Sequence, residues 1–260
     1  MYDFPEVHTS TLALLGALVE ALEFCGETAH AVTPEGLAHE GLMKLWRSSE
    51  TVLSQSCGLP FVENLHEYVD VIGTFVWTDV SDARGRYQTV IVAREELKVS
   101  SISELDGLRP VVSNTQSLSG WCSLGVALAE AKIDQNSVKP YVLSGGHARS
   151  LQILQDGDAD FASIDAATFR LLTRHRPELT KELNLVGRGP VVAATPIHVS
   201  KTRSASLDEI SEAVASVFVR PELQAALFNI GIGGFVRLAN SDYDGVMDLV
   251  KIAEVVLPRK

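Results

Sequence analysis

The stretch "RPVVSNTQSLSGWCSLGVALAEA", Arg109 to Ala131, decides how the rest of the chain is read. An apolar run ends at Val112, a polar loop follows, and a helical pattern takes over from about Leu118, so strand, loop and helix succeed one another. A helix start needs one capping oxygen for its orphan N–H groups. Here Ser113, Asn114, Thr115, Ser117 and Ser119 all compete for that role, and the surplus of small polar side chains points to a ligand.

The same unit recurs downstream. "VKPYVLS" (Val138–Ser144) leads through Gly145, Gly146 and His147 into a helix reaching Gln155, and "DFASI" (Asp160–Ile164) leads through Asp165 into a helix reaching His175. Short apolar strands alternating with helices of this length indicate βαβ units around a mainly parallel sheet, the α/β class. In such sheets the loops after the strands' carboxyl ends share one edge, where ligands bind. Ser117, His147 and Asp165 all fall on that edge.

Working outward, Pro5 and Glu6 open a helical pattern in which Leu12, Leu15, Val19 and Leu22 share a face and Gly26 ends it. Thr33 and Pro34 form a cap signal, and a second helix spans about 38 to 47, with Leu42, Leu45 and Trp46 on one side. "TVLSQSCGLPF" (Thr51–Phe61), "YVDVIGTFVW" (Tyr68–Trp77) and "YQTVIVARE" (Tyr87–Glu95) carry strand signals. The Gly and Pro cluster "GRGPVVAATP" (Gly187–Pro196) reads as a return crossing, followed by helices over about 207–218, 221–229 and 242–253. Residues 1 to 92 with 190 to 260 are expected to form one discontinuous lobe, and 93 to 189 the other. "GIGGF" (Gly231–Phe235) lacks the flanking strand and helix of a dinucleotide loop and reads as a turn.

Composition narrows the function classes. The chain has 260 residues and a formal net charge of −11, with no basic stretch to meet nucleic-acid phosphates. A small oxyanion is not excluded, since helix N-termini attract anions over a few ångströms whatever the distant surface carries. Cys25, Cys57 and Cys122 show neither zinc nor redox spacing, and neither Cys57 nor Cys122 has a basic residue nearby in sequence to activate it. No run approaches a membrane span and no signal peptide is visible. As it stands the chain reads as cytoplasmic; an export signal upstream of Met1 would make it periplasmic.

"MYDFPEV", "LSQSCGLPF", "YQTVIV", the Ser-x-Ser-Gly of "SLSG", "GGHARSL" and "GDADFASID" stand in the order found in the phosphate, phosphite and phosphonate-binding receptors of ABC transporters. The resemblance covers residues 1 to about 200 and is strongest to a divergent branch with a Met-Tyr-Asp-x-Pro-Glu opening. It implies the type 2 periplasmic binding protein fold: two α/β lobes closing on a ligand. It also implies a solute-binding protein without cofactor or metal, serving an ABC permease. Under this resemblance Ser117 and Ser119 match the serines that hold the oxyanion, and His147 matches a histidine that donates to it. Asp165 matches an acid facing a protonated oxygen or an amine. Tyr2, Asp3, Gln55, Ser56 and Tyr87 are weaker candidates from the other lobe.

Each residue has a plain structural alternative. Ser117, Ser119 and Asp165 can be helix caps, His147 a cap or surface histidine, Tyr2, Tyr87 and Trp121 packing residues, and Arg149 a solvated charge. Three departures from the family pattern stand out. Leu118 and Gly146 replace small polar residues and remove two hydroxyls, and the apolar strand that relatives place before the Met-Tyr-Asp motif is missing. An uncovered sheet edge invites pairing, so a dimer contact or disorder near residues 1 to 5 is expected. Two rival readings use the same fold. One is a cofactor-independent lyase or biosynthetic enzyme with His147 and Asp165 as acid and base; the other is a cytoplasmic sensor of small acids.

Overall fold

The first helix ends where its glycine predicts. α1 (His8–Phe24) closes with Gly26 at φ +83°, its N–H on the Glu23 carbonyl at 2.9 Å, while the Glu27 N–H returns to the Leu22 carbonyl at 3.1 Å. Such a paired closure needs a left-handed residue, which glycine supplies without strain. A computed structural model describes residues 2–32, 39–203 and 205–259 of the protein. The cap expected at Thr33 and Pro34 lies outside the described residues, as does the expected helix start at Ala38.

The elements continue as α2 (His39–Arg47), β1 (Leu53–Gln55), α3 (Gly58–Pro60) running into a π-helical turn at Phe61–Leu65, β2 (Val69–Trp77), β3 (Arg86–Tyr87) and β4 (Val90–Arg94). Then come β5 (Pro110–Val112), a π-helical turn at Leu118–Cys122, α4 (Ser123–Glu130), β6 (Val142–Leu143), α5 (His147–Gln155), β7 (Phe161–Ile164) and α6 (Ala166–His175). The chain closes with β8 (Leu183–Arg188), β9 (Val192–Ala193), β10 (Ile197–Ser200), α7 (Leu207–Val217), α8 (Gln224–Ile230), β11 (Ile232–Val236) and α9 (Val246–Val256).

Two units result. Unit 1 holds Tyr2, Tyr87–Val192 and residues 245–259; unit 2 holds Asp3–Arg86 and Ala193–Asp244. The boundaries differ from those expected near residues 92 and 190, and the last helix changes sides. β4 belongs to unit 1 because it is an inner strand there, paired with β7 and β8. α9 joins it because Gly125 on α4 lets the two helices touch: a Cβ at that position would lie 2.7 Å from Ala253 Cβ and 2.8 Å from its Cα. The Trp121 indole N–H donates to the Leu257 carbonyl at 3.0 Å and Arg259 lies over its ring, tying the end of the chain to the same unit.

In unit 1 the strand order is β6-β5-β7-β4-β8. β5 runs parallel to β6 and β7, as the repeated strand-loop-helix unit requires, while β4 runs antiparallel to β7 and β8. Every residue of β5 and β7 is buried, the pattern of strands covered on both faces. Unit 2 corrects the expectation of a mainly parallel sheet. Its order is β1-β10-β2-β11 and all three pairings are antiparallel, because β10 brings the chain back against the direction in which β2 left.

The stretch read as a turn at 231–235 is also corrected: it is mostly β11, paired with β2 through a register shift between Ile232 and Gly234. Two adjacent glycines hide a strand from propensity, but Phe235 stacks on Phe218 at 6.0 Å and lies so close to Gly73 that a Cβ there would sit 2.3 Å from the ring. His198, on the inner strand β10, is only 1% exposed, and its Nε2 has no protein partner among the described residues. Burial lowers its pKa from 6.5 to about 4.

Two outcomes follow for stability. Gly to Ala inside an exposed helix gains roughly 0.5–1 kcal/mol, but the Ala253 backbone reverses the sign for Gly125→Ala, which should lose about 1–3 kcal/mol in denaturant titration; a gain contradicts the α4–α9 contact. His198 is harder to protonate folded than unfolded. Its contribution is therefore whole above about pH 6.5 and is lost as pH falls towards about 4, by roughly 3 kcal/mol. The pH slope of unfolding free energy across that window should be shallower in His198→Leu than in the native chain, and an equal slope contradicts the assignment.

Candidate functional site

The carboxyl ends of β5, β6 and β7 and the starts of the following helices supply Ser117, Ser119, His147 and Asp165 in unit 1, and Tyr2 joins them through Asp165. After β5 the Asn114 side chain accepts from the Gln116 N–H at 2.9 Å, turning the chain back. Ser117 then caps the π-helical turn, its Oγ accepting from the Gly120 N–H at 2.9 Å. Its carbonyl accepts from both Trp121 (3.2 Å) and Cys122 (3.0 Å), which widens this first turn. Gly120 is required: a Cβ there would lie 2.2 Å from Ser113 Oγ.

A second loop delivers His147. The Gly145 N–H donates to the Ser113 carbonyl at 2.7 Å, and Ser144 Oγ sits 2.7 Å from Ser150 Oγ in the first turn of α5. α5 therefore starts beside the π-helical turn. Gly146 at its N-cap offers no capping side chain, and a Cβ there would meet open space. His147 is buried, with Nε2 2.8 Å from Ser119 Oγ. Its Nδ1 is buried and has no protein partner among the described residues, and Ser113 Oγ is in the same condition.

Burial lowers the His147 pKa from 6.5 to about 4, against the pull of the Asp165 carboxylate, which favours the charged form. At neutral pH the ring is uncharged and carries one N–H and one lone pair. If Ser119 donates to Nε2, Nδ1 carries the proton; if Nε2 donates to Ser119, Nδ1 presents a lone pair. Ser119 is itself 3.4 Å from Ser117 Oγ, and the Ser163 hydroxyl donates to its carbonyl at 2.7 Å, so the row of hydroxyls is held from behind.

Asp165 is the N-cap of α6, its Oδ1 accepting from the Thr168 N–H at 2.8 Å, as the structural alternative held. Its other oxygen accepts from the Tyr2 hydroxyl at 3.1 Å. Thr168 Oγ1 is buried without a protein partner among the described residues. Reasoning from the sequence passed over Thr168, although its place three residues after an N-cap acid is a readable signal.

The remaining candidates divide. Tyr87 is buried on β3 in unit 1. Asp3, Gln55 and Ser56 belong to unit 2, where Asp3 pairs with His8 at 3.0 Å and the Gln55 amide donates to Thr195 Oγ1 at 2.9 Å. Ser56 Oγ is buried and has no protein partner among the described residues. Arg149 is largely solvated, 3.7 Å from Asp156. Cys25, Cys57 and Cys122 form no disulfide, and among the described residues no group of acids, histidines and cysteines could hold a metal. Nor is any described helix long and apolar enough to cross a membrane.

Comparison with solved structures finds the same fold. PhnD1 from Prochlorococcus marinus, solved with methylphosphonate, superposes with a TM-score of 0.74 at 14% identity over 94% of this chain and 93% of its own. A binding-protein component of an ABC phosphonate transporter from Pseudomonas aeruginosa gives 0.71 at 16% identity over 95% and 82%. XAC2383 from Xanthomonas citri, solved with ATP, gives 0.71 at 15% identity over 96% and 94%. No curated protein sequence matches. The family model for "ABC transporter, phosphonate, periplasmic substrate-binding protein" matches residues 28–243, most of the length, and the chain belongs to that family.

Proposed function

We propose that this chain captures a small phosphonate-type oxyanion on the strand-end edge of unit 1 and passes it unchanged to an ABC permease on the periplasmic side. The observation that carries this reading is His147 Nδ1, a buried polar atom without a protein partner among the described residues, in the first residue of a helix that no described side chain caps. Leaving such an atom unsatisfied costs about 1–3 kcal/mol, so its retention is explained by a guest that pairs with it. An acceptor-rich oxyanion suits the donors around it: the Ser117 hydroxyl, the His147 Nδ1–H and the N–H groups at the start of α5, while Ser119 donates to His147 Nε2 and so fixes that tautomer. Hydrogen bonds to a charged guest contribute about 1.5–3 kcal/mol each, against about 0.3–1 from a helix dipole. Side-chain donors therefore set the affinity, and the net charge of −11 does not oppose it at this range.

One observation favours an enzyme instead: Ser119 Oγ and His147 Nε2 at 2.8 Å have the spacing of a nucleophile and its base. Two others weigh against it. An imidazole of pKa about 4 is a poor base at neutral pH, and no described acid accepts from Nδ1 to hold the ring.

Methylphosphonate is the first probe, because a protein of this fold is solved with it. Saturation at a hundred times the dissociation constant should add about 2.7 kcal/mol to unfolding free energy, and the guest should be recovered intact after prolonged incubation. His147→Ala and Ser117→Ala should each weaken calorimetric binding about 10- to 150-fold. Failure of methylphosphonate, phosphite and phosphate alike to stabilise the native chain sinks the reading, and consumption of the guest moves it to the enzyme.

A further inference from the structure

The turn that carries Ser117 and Ser119 is shared between two registers. The Ser117 carbonyl accepts from the Trp121 N–H at 3.2 Å, its α-helical partner four residues on, and from the Cys122 N–H at 3.0 Å, its π-helical partner five residues on. Wide turns of this kind are rare, since the α register is the usual one, so the π register needs a hold from outside the helix. Narrowing to the α register would draw Ser119 along the turn, and His147, which stands on α5, could not follow it. The 2.8 Å contact between Ser119 Oγ and His147 Nε2 therefore depends on register.

The outside hold is the end of the chain. Trp121, within the turn, has no exposed surface; its indole N–H donates to the Leu257 carbonyl at 3.0 Å, and the Arg259 guanidinium lies 4.5 Å from the ring centroid. Glu254 on α9 pairs with Arg259 at 3.3 Å, which keeps the cation over the ring. These tail residues lie outside the stretch 28–243 on which the family assignment rests.

We propose that the tail at Leu257–Arg259 belongs to the binding machinery, with Leu257 and Arg259 as positioning residues that act through Trp121. By pinning the indole they keep the turn in its π register, and so keep the Ser117 and Ser119 hydroxyls aligned with the imidazole. The inference rests on the oxyanion reading and adds to it a set of residues far along the chain on which the affinity depends.

Two variants test it. Arg259→Gln removes the cation from the ring, and Trp121→Phe keeps a ring but removes its N–H; should the second fail to fold, the first stands alone. Calorimetric affinity for methylphosphonate should fall about 2- to 5-fold in Arg259→Gln and about 3- to 10-fold in Trp121→Phe. Without any guest, hydrogen exchange at the Cys122 amide should quicken in both relative to that of Ala127 in the middle of α4. Val250→Ala is the control: Val250 is buried on α9, so its loss lowers stability while leaving the tail in place, and affinity and relative exchange should both stay native. Native affinity in the tail variants overturns the proposal. So does a Val250→Ala loss of affinity as large as theirs, since general loosening of unit 1 would then account for it, and so does unchanged Cys122 exchange, which denies the hold on the turn. If the native chain binds neither methylphosphonate, phosphite nor phosphate, the oxyanion reading falls and the tail's role in binding falls with it, whereas the exchange arm, run without guest, judges the hold on the turn separately.

Discussion

Taking one imidazole out of water is the constraint on which the rest of unit 1 turns. The loops after β5 and β6 are arranged so that His147 packs under the π-helical turn with one nitrogen on Ser119 and the other left to spare. Desolvation keeps the ring neutral, and neutrality leaves it a directional hydrogen-bonding group instead of a fixed charge. A permanent cation there would hold an anion tightly and release it poorly. Several neutral hydrogen bonds can bind selectively and still let go, which is what a carrier requires.

The two units reach their strand ends in related ways. β1 and β5 both lead into small polar residues, and both are followed by a π-helical turn, at Phe61–Leu65 and Leu118–Cys122. In each case a C-terminal aromatic or carbonyl locks the turn from behind. Tyr243 meets Phe61 edge-on at 5.3 Å, and the Leu257 carbonyl takes the Trp121 N–H. At Leu118–Cys122 the widened turn sets the Ser117 and Ser119 hydroxyls 3.4 Å apart.

Much of this was legible in the sequence because it is local. Ser117, Asp165 and Gly26 sit at element ends, where the chain's own hydrogen bonds dictate residue type, and each occupies the cap or turn that its neighbours imply. Contacts between distant residues left no such trace. Tyr2 lies 163 residues from Asp165, and nothing in either neighbourhood announces their bond. Asp3 and Gln55 looked available for the same reason: the partners that occupy them, His8 and Thr195, are set by packing. The sheet of unit 2 was misjudged because strand direction depends on where the chain returns, and β11 was missed because two glycines mask a strand that only its aromatic packing sustains. The helix at 246–256 reads correctly as a helix, but its allegiance to unit 1 depends on the close approach at Gly125 and on the Trp121 contacts with Leu257 and Arg259, none of which its own stretch announces.

The central claim is that His147 Nδ1 keeps its proton and donates it in a hydrogen bond to the oxyanion while the ring stays neutral. Nitrogen-15 NMR of the histidine side chains, with and without methylphosphonate at neutral pH, reads both points directly. The prediction is a neutral ring throughout, with Nδ1 in its protonated form and shifted by the added guest while Nε2 remains the acceptor of Ser119. An imidazolium in the complex, or an Nδ1 signal that does not respond to a guest shown to be bound, would contradict it.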